Sequence, residues 1–178
     1  MTHEAIRFPA DGDAFAWRVS VAHIDASGPF SDFAGYNRKM VLLKGEGIEL
    51  KFADGGQRCL RRVGDLAEFD GALATHCTLL GGPCIDLNLM VVKAQGAVAG
   101  VQWLTEHEEN LRASASPGES TLIFSIDDAV LLSSGGGETL RLEPWDLAIM
   151  SNGNGQITRL ESRAPAIPSA VFFATISH

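Results

Sequence analysis

The chain has 178 residues, of which 20% are charged and 46% hydrophobic, a globular composition long enough for one domain with a sizeable core or for two small fused modules. Its net charge of -8 argues against nucleic-acid backbones and anionic membranes as partners, because both demand a basic footprint; an anionic small ligand stays open, since it responds to local charge inside a pocket. The start MTHEAIRFPADGD lacks the basic and apolar runs of a secretory signal, and no apolar run reaches the length of a membrane span; with no CxxC pair among Cys59, Cys77 and Cys84, the chain reads as a reduced, cytoplasmic protein with free, mostly buried thiols.

Helical periodicity is scarce along the chain. Short runs rich in β-branched and apolar residues alternate with Gly, Asp, Asn and Ser clusters, which predicts an all-β sandwich or barrel. In order, the predicted strands are FAWRVSVAHI, RKMVLLKG, IELKF, THCTLLGG, CIDLNLMVVK and VAGVQWL, then STLIFSID, AVLLSS, ETLRLE, DLAIMS, GQITRLES and SAVFFATIS. TEHEENLRA is the one plausible helical segment, and its polar character suits a strand and turn equally well. KGEGIE and SSGGGE read as hairpin turns in which glycine supplies positive φ.

Those turns expose an internal similarity. MVLLKGEGIELKF followed by VGDLAEF resembles AVLLSSGGGETLRL followed by PWDLAIM, with Asp65 and Asp146 in corresponding turns. Two copies of one β-module account for this pattern. Hairpin, glycine turn and Asp turn form the rhythm of a cupin, a jelly-roll barrel. The expected fold is therefore a bicupin, two jelly-roll-type β-barrels in one chain. It forms a single domain over 1–178, with pseudo-repeats at roughly 13–97 and 98–178 that share a core.

The stretch THCTLLGGPCIDLNLM concentrates the chain's reactive side chains. A metal-binding cupin needs histidines at alternate positions of one strand, and His3, His23, His76, His107 and His178 supply no such pair; His107 also lies in an acidic run that reads as a solvated face. No metal and no cofactor are expected. A thiol nucleophile fares no better, because His76 and Cys77 are strand neighbours whose side chains point to opposite faces. A pocket wall remains. Alternation puts Ile85, Leu87, Leu89 and Val91 on one face and Asp86, Asn88 and Met90 on the other, either toward solvent or lining a barrel interior where each polar group needs a partner. In WRVSVAHI, Arg18, Ser20 and Ala22 share a face, where Arg18 is either a surface arginine or a bidentate clamp for a carboxylate. Arg38, after the loop GPFSDFAGYN, poses the same choice.

Two segments carry a resemblance to a known family. WRVSVAHIDASGPFSDFAGYNRKMVLLKGEGIEL resembles the N-terminal signature of the HutD/Ves family, and FDGALATHCTLLGGPCIDLNLMVVK resembles its second signature. Together they cover most of the first hundred residues; the C-terminal third matches only in general pattern and in its Trp-Asp turn. The resemblance implies a bicupin fold without the metal motif and pocket residues at Arg18, Arg38, His76, Asp86 and Asn88. It implies a bacterial, non-enzymatic regulator of histidine catabolism that binds a carboxylate intermediate such as N-formylglutamate or urocanate. The family's other branch is a stress-response one with no settled activity. Two departures stand out: Leu87 where the family often has Phe, and the single Lys93 where it has a basic pair. A metal-independent cupin isomerase, hydrolase or lyase acting on a small carboxylic acid is the competing expectation, with His76 as general acid/base oriented by Asp86. So is a structural or stress-response protein that binds no ligand. A homodimer is open to any of these.

Overall fold

Every regular element among the described residues is a β-strand, as the period-2 patterning predicts. The structure is a computed structural model that describes residues 1–11, 14–104, 110–159 and 169–177, without the side chains at 103, 110, 152, 154 and 156–159. The chain forms two compact units, Met1–Gln95 and Gly96–His178. Among the described residues no helix is long and apolar enough to cross a membrane.

The first unit contains β1 (Thr2–Phe8), β2 (Trp17–Ile24), β3 (Gly28–Pro29), β4 (Tyr36–Lys44), β5 (Ile48–Phe52), β6 (Gln57–Leu60), β7 (Leu66–Asp70), β8 (Thr75–Leu79) and β9 (Cys84–Val92). They build two sheets, one ordered β1-β2-β9-β4-β7 and one ordered β3-β8-β5-β6. Met40 and Leu42 of β4 join Ile48, Leu50 and Phe52 of β5, Leu60 of β6 and Cys77 of β8 in one buried cluster. The alternate residues Val41, Leu43, Leu87 and Leu89 are buried as well, so β4 and β9 have two buried faces and read as near-continuous apolar runs.

The second unit contains β10 (Ala97–Leu104), β11 (Asn110–Ser125), β12 (Val130–Ser134), β13 (Thr139–Leu142), β14 (Leu147–Arg159) and β15 (Ser169–Ser177). They form one sheet, ordered β10-β15-β11-β14-β12-β13. Its core gathers Leu104, Ile123, Val130, Leu142 and Val171. All three sheets are open-ended in their strand pairing, so the closure of each unit into a barrel is not seen in the hydrogen bonding.

Several expectations change. DLAIMS and the beginning of GQITRLES are one strand, β14, rather than two. The segment 105–109 of TEHEENLRA, with His107, lies outside the described residues, and 110–113 begin strand β11 rather than a helix. The KGEGIE turn is not a hairpin. β4 pairs with β7 and β9, whereas β5 pairs with β6 and β8, so this turn carries the chain from one sheet to the other. Gly45 has φ +115, and a methyl group there would run into Cys84 Sγ and the backbone of Pro83 and Cys84. Glycine is required by both the dihedral and the close approach.

The internal similarity therefore lies one strand later than the glycine doublets suggest. The partner of SSGGGE is FADGGQ. Phe52 N donates to Gly56 O at 2.9 Å and Gly55 N to Phe52 O at 3.0 Å, while Ser134 N donates to Glu138 O at 2.8 Å and Gly137 N to Ser134 O at 3.0 Å. Gly55 and Gly137 have φ of 89° and 86°. The Asp turns that follow match as well: Gly64 N donates to Leu42 O and Leu42 N to Asp65 O, as Trp145 N donates to Ser125 O and Ser125 N to Asp146 O. Asp65 Oδ2 accepts from Arg61 N at 2.7 Å and Arg62 N at 3.0 Å. Asp65→Ala is expected to cost about 1–2 kcal/mol by freeing both amide groups, measurable as a lower denaturant midpoint; an unchanged midpoint would show that the turn does not depend on the carboxylate.

Candidate functional site

Pairing register places the site on one face of the first unit's five-stranded sheet. β2, β9 and β4 lie side by side, and three rows of inward side chains cross them: Arg18, Met90 and Arg38; Ser20, Asn88 and Met40; Ala22, Asp86 and Leu42. Successive rows are separated by about 7 Å along the strands, two residues of extended chain. Alternation puts these residues on one face, and antiparallel pairing brings the three strands' polar positions together.

All of these residues except Leu42 line one cavity of about 570 Å³, a size suited to a small organic ligand. The loop between β3 and β4 roofs its cationic end. Phe30 N donates to Thr75 O and Phe33 N to Gly71 O, both at 2.9 Å, and a side chain at Gly71 would strike Phe33 O at 2.5 Å. So anchored, the loop holds two aromatic rings against the arginines. The Arg38 guanidinium lies 5.4, 5.5 and 5.0 Å from the ring centres of Phe30, Phe33 and Phe69. That of Arg18 lies 5.1 and 5.2 Å from Phe15 and Phe33. Cation–π contact compensates for the water these cations lose.

That compensation is incomplete. Arg38 is only 5% exposed, and Arg38 Nη1 donates to Ser31 O at 3.4 Å. Burial pulls its guanidinium down to about 10, against the opposing attraction of Asp86, with Arg18 lowering it further. Asp86 is 2% exposed, and burial pushes its carboxyl up to about 7, although the charge of Arg38 works the other way. Arg18 is less buried and approaches Glu4 at 4.0 Å.

Seven buried side-chain nitrogen or oxygen atoms among the described residues have no hydrogen-bond partner, and five of them belong to residues lining this cavity: Arg18 Nε, Ser20 Oγ, Arg38 Nε, Asp86 Oδ1 and Asn88 Oδ1. Buried polar groups are normally paired. Two cations, a hydroxyl, an amide and a carboxyl that converge, each with one unpartnered buried atom, are equipped to hold a ligand carrying a carboxylate and further polar atoms.

Of the five residues expected at the site, Arg18, Arg38, Asp86 and Asn88 come together and His76 does not. His76 is exposed, pairs across the second sheet with Pro29 and Lys51, and lines a separate, shallower depression with Phe52. Its neighbour Cys77 takes the inward position and is fully buried. The acid–base pair of His76 with Asp86 therefore does not form. Burial pushes the Cys77 thiol up to about 12, reinforced by Asp86 and Cys84, so it stays protonated and inert. Among the described residues no three His, Cys, Asp or Glu side chains are grouped to hold a metal ion. Lys93 pairs with Asp70 at 2.7 Å and does not line the cavity, and Leu87 is buried on the opposite face. Neither departure from the family signature touches the site. The aromatic roof of Phe30 and Phe33 is the part the sequence reading missed, although both stand beside Arg38 in the loop GPFSDFAGYN.

These features define an all-β protein of cupin-like fold with an arginine-lined cavity. A cupin 2 conserved barrel domain protein from Leptotrichia buccalis shares that fold, with a TM-score of 0.55 at 12% identity over 99% of this chain and 88% of that one. The HutD family model matches residues 1–167, and the chain belongs to the HutD family. It is 37% identical over 142 residues, 79% of this chain and 72% of the relative, to an uncharacterized 21.2 kDa protein in the hutC 3′ region of Pseudomonas putida. It is 33% identical to Protein Ves of Escherichia fergusonii over 90 residues, 50% of this chain and 47% of that protein. A conserved protein of unknown function from Pseudomonas aeruginosa PAO1 superposes with a TM-score of 0.84 at 28% identity, over 99% of this chain and 89% of that one. HutD from Pseudomonas fluorescens SBW25, solved in a formate condition, superposes with a TM-score of 0.65 at 26% identity, over 99% and 86%.

Proposed function

We propose that this protein is a non-enzymatic, cytoplasmic regulator of histidine catabolism that binds a carboxylate intermediate, such as N-formylglutamate or urocanate, in the cavity of its first unit. The observation that carries this reading is the convergence of five unpartnered buried polar atoms, two of them on guanidinium groups, upon one cavity. Arg38 and Arg18 neutralise the ligand carboxylate, while Ser20 and Asn88 one row away and Asp86 two rows away meet an amide, formyl or imidazole group. The relative from the hutC 3′ region and the HutD structure from a formate condition support the histidine-pathway setting. Binding without turnover is favoured because, among the described residues, the cavity hydroxyl of Ser20 has no base beside it to activate it and His76 lies outside the cavity.

The matching turns at Asp65 and Asp146 and at Gly55 and Gly137 support a duplicated β-module, and with it the bicupin reading of the whole chain.

Titration calorimetry of the folded protein with N-formylglutamate, urocanate and histidine tests the ligand. N-formylglutamate and urocanate are expected to bind at micromolar to millimolar strength and to be recovered intact after long incubation. Heat from none of the three would remove the proposal, and conversion of either acid would favour the enzyme instead.

A further inference from the structure

Asp86 is the only carboxylate among the buried side chains of the described residues. It occupies the third row of the cavity face between Ala22 and Leu42, with Oδ1 lacking any donor. The two cations stand in the first row, with the Ser20, Asn88 and Met40 row between. An anion drawn to the arginines enters the same cavity as the buried Asp86 carboxylate, and two carboxylates that share their cations disfavour each other's ionisation.

We propose that Asp86 takes up one proton from solvent when a carboxylate ligand binds beside Arg38 and Arg18, so that the site captures the anion together with a proton and holds it more tightly as the pH falls. This rests on the carboxylate reading above. The proton passes from water or buffer to Asp86 Oδ1, and no bond of the ligand is made or broken. The site carries one positive charge before binding, from two arginines and an ionised Asp86, and one positive charge after it, from two arginines, a neutral Asp86 and the ligand anion, so no additional net charge is buried. The neutral Oδ1–H also adds a donor to a cavity whose unpartnered atoms include the acceptor Asn88 Oδ1. Burial already pushes the Asp86 carboxyl up to about 7, and a bound anion that raises it by about two to three units more keeps it protonated through about pH 8.5.

The other charged and titratable groups facing Asp86 are not placed to take this proton. Arg38 of β4 and Arg18 of β2 stay cationic while they hold the ligand. Cys77 of β8 and Cys84, on the same strand as Asp86, are buried thiols, and Cys77 is already protonated at this pH. Glu4 of β1, His23 of β2, Asp25 and the Met1 ammonium also line the cavity, and all four are exposed to water.

The test is titration calorimetry with formate and with N-formylglutamate, acids that stay ionised through the range used, in buffers of differing ionisation enthalpy. At about pH 8.5 the native protein is expected to take up about one proton per ligand and at about pH 5.5 close to none; its affinity is flat below about pH 7 and falls up to about tenfold per unit above it. Asp86→Asn is expected to take up no proton and to bind with an affinity independent of pH, and His23→Gln still to take up the proton on binding. Binding to the native protein at about pH 8.5 without proton uptake overturns the proposal, and that measurement needs no variant. Uptake that persists in Asp86→Asn overturns it too. No binding at any pH overturns the carboxylate reading itself and this proposal with it.

Discussion

Asp86→Asn is expected to stabilise the ligand-free protein at about pH 8 by about 4 kcal/mol and to leave it unchanged near pH 4. The folded carboxyl is pushed up to about 7, whereas in the unfolded chain it titrates near 3.9. Between these values the folded state keeps a proton that the unfolded state has lost. Stability therefore falls as pH rises, by about 1.4 kcal/mol per unit, and the loss is complete above the folded value. Asparagine mimics the neutral acid in shape and never ionises, so it escapes the loss. Thermal or urea unfolding of both proteins across this range reads the effect as a gap that opens with pH, corresponding to about 8–16 °C for a chain of this size. A gap that is constant with pH, or a variant less stable at about pH 8, would show that the Asp86 charge is well compensated in the folded chain. A residue that costs this much at neutrality is of the kind retained for function rather than stability.

The same position shows how far local pattern reaches. Period-2 alternation grouped Arg18 with Ser20 and Ala22, and Asp86 with Asn88 and Met90, and both groups line the cavity. The choice between solvent and interior, left open for the Asp86 face, turns on what covers the sheet. That depends on β2, β9 and β4 being neighbours, pairings across about seventy and about fifty residues of sequence that no local pattern encodes. His76 came into the expected site by motif position alone. Its own strand argued otherwise, since an apolar Cys77 directed inward leaves His76 facing out.

Errors in the fold have similarly specific causes. β1 was passed over because THEAIRF is an edge strand with mostly exposed side chains, so alternation had no apolar face to show. β3 is two residues long, too short for any periodicity. KGEGIE and SSGGGE are alike in composition, but their glycines do different work. Gly55 and Gly137 close hairpins, while Gly45 lets the chain cross between sheets against Cys84. Once the hairpins are in register, Gly64 and Trp145 fall at matching positions with φ of 89° and 74°. Trp145 is a bulky residue in a conformation that favours glycine, held by the Ser125 and Asp146 hydrogen bonds that match those of Leu42 and Asp65. The aromatic roof escaped notice for another reason. Phe30 and Phe33 lie in a loop without alternation, and only their anchoring to Thr75 and Gly71 turns them over the arginines.

Arg38→Met is expected to abolish most ligand binding while leaving the protein folded. Arg38 is the more buried of the two cations and is packed against three aromatic rings, so it meets a ligand carboxylate with little competition from water. Removing a buried, hydrogen-bonded charge partner costs about 2–5 kcal/mol of binding, a loss of about 30-fold to several thousandfold. Stability follows a different rule. Methionine fills similar volume among Phe30, Phe33 and Phe69 and escapes the desolvation that holds Arg38 down to about 10, and exchanging a buried charge for a packed apolar side chain is often neutral or stabilising. Asp86 is not stranded by the loss, because without Arg38 it protonates more readily. Arg18→Met is expected to weaken binding less, since Arg18 is more exposed and lies 4.0 Å from Glu4. Arg38→Lys is expected to recover only part of the native affinity, because an ammonium lacks the planar fork that grips a carboxylate at two points. Calorimetry and unfolding on the three variants separate the roles. Equal losses at Arg18 and Arg38, or full recovery with lysine, would mean that the cavity attracts its ligand by charge alone rather than by the geometry its aromatic roof imposes.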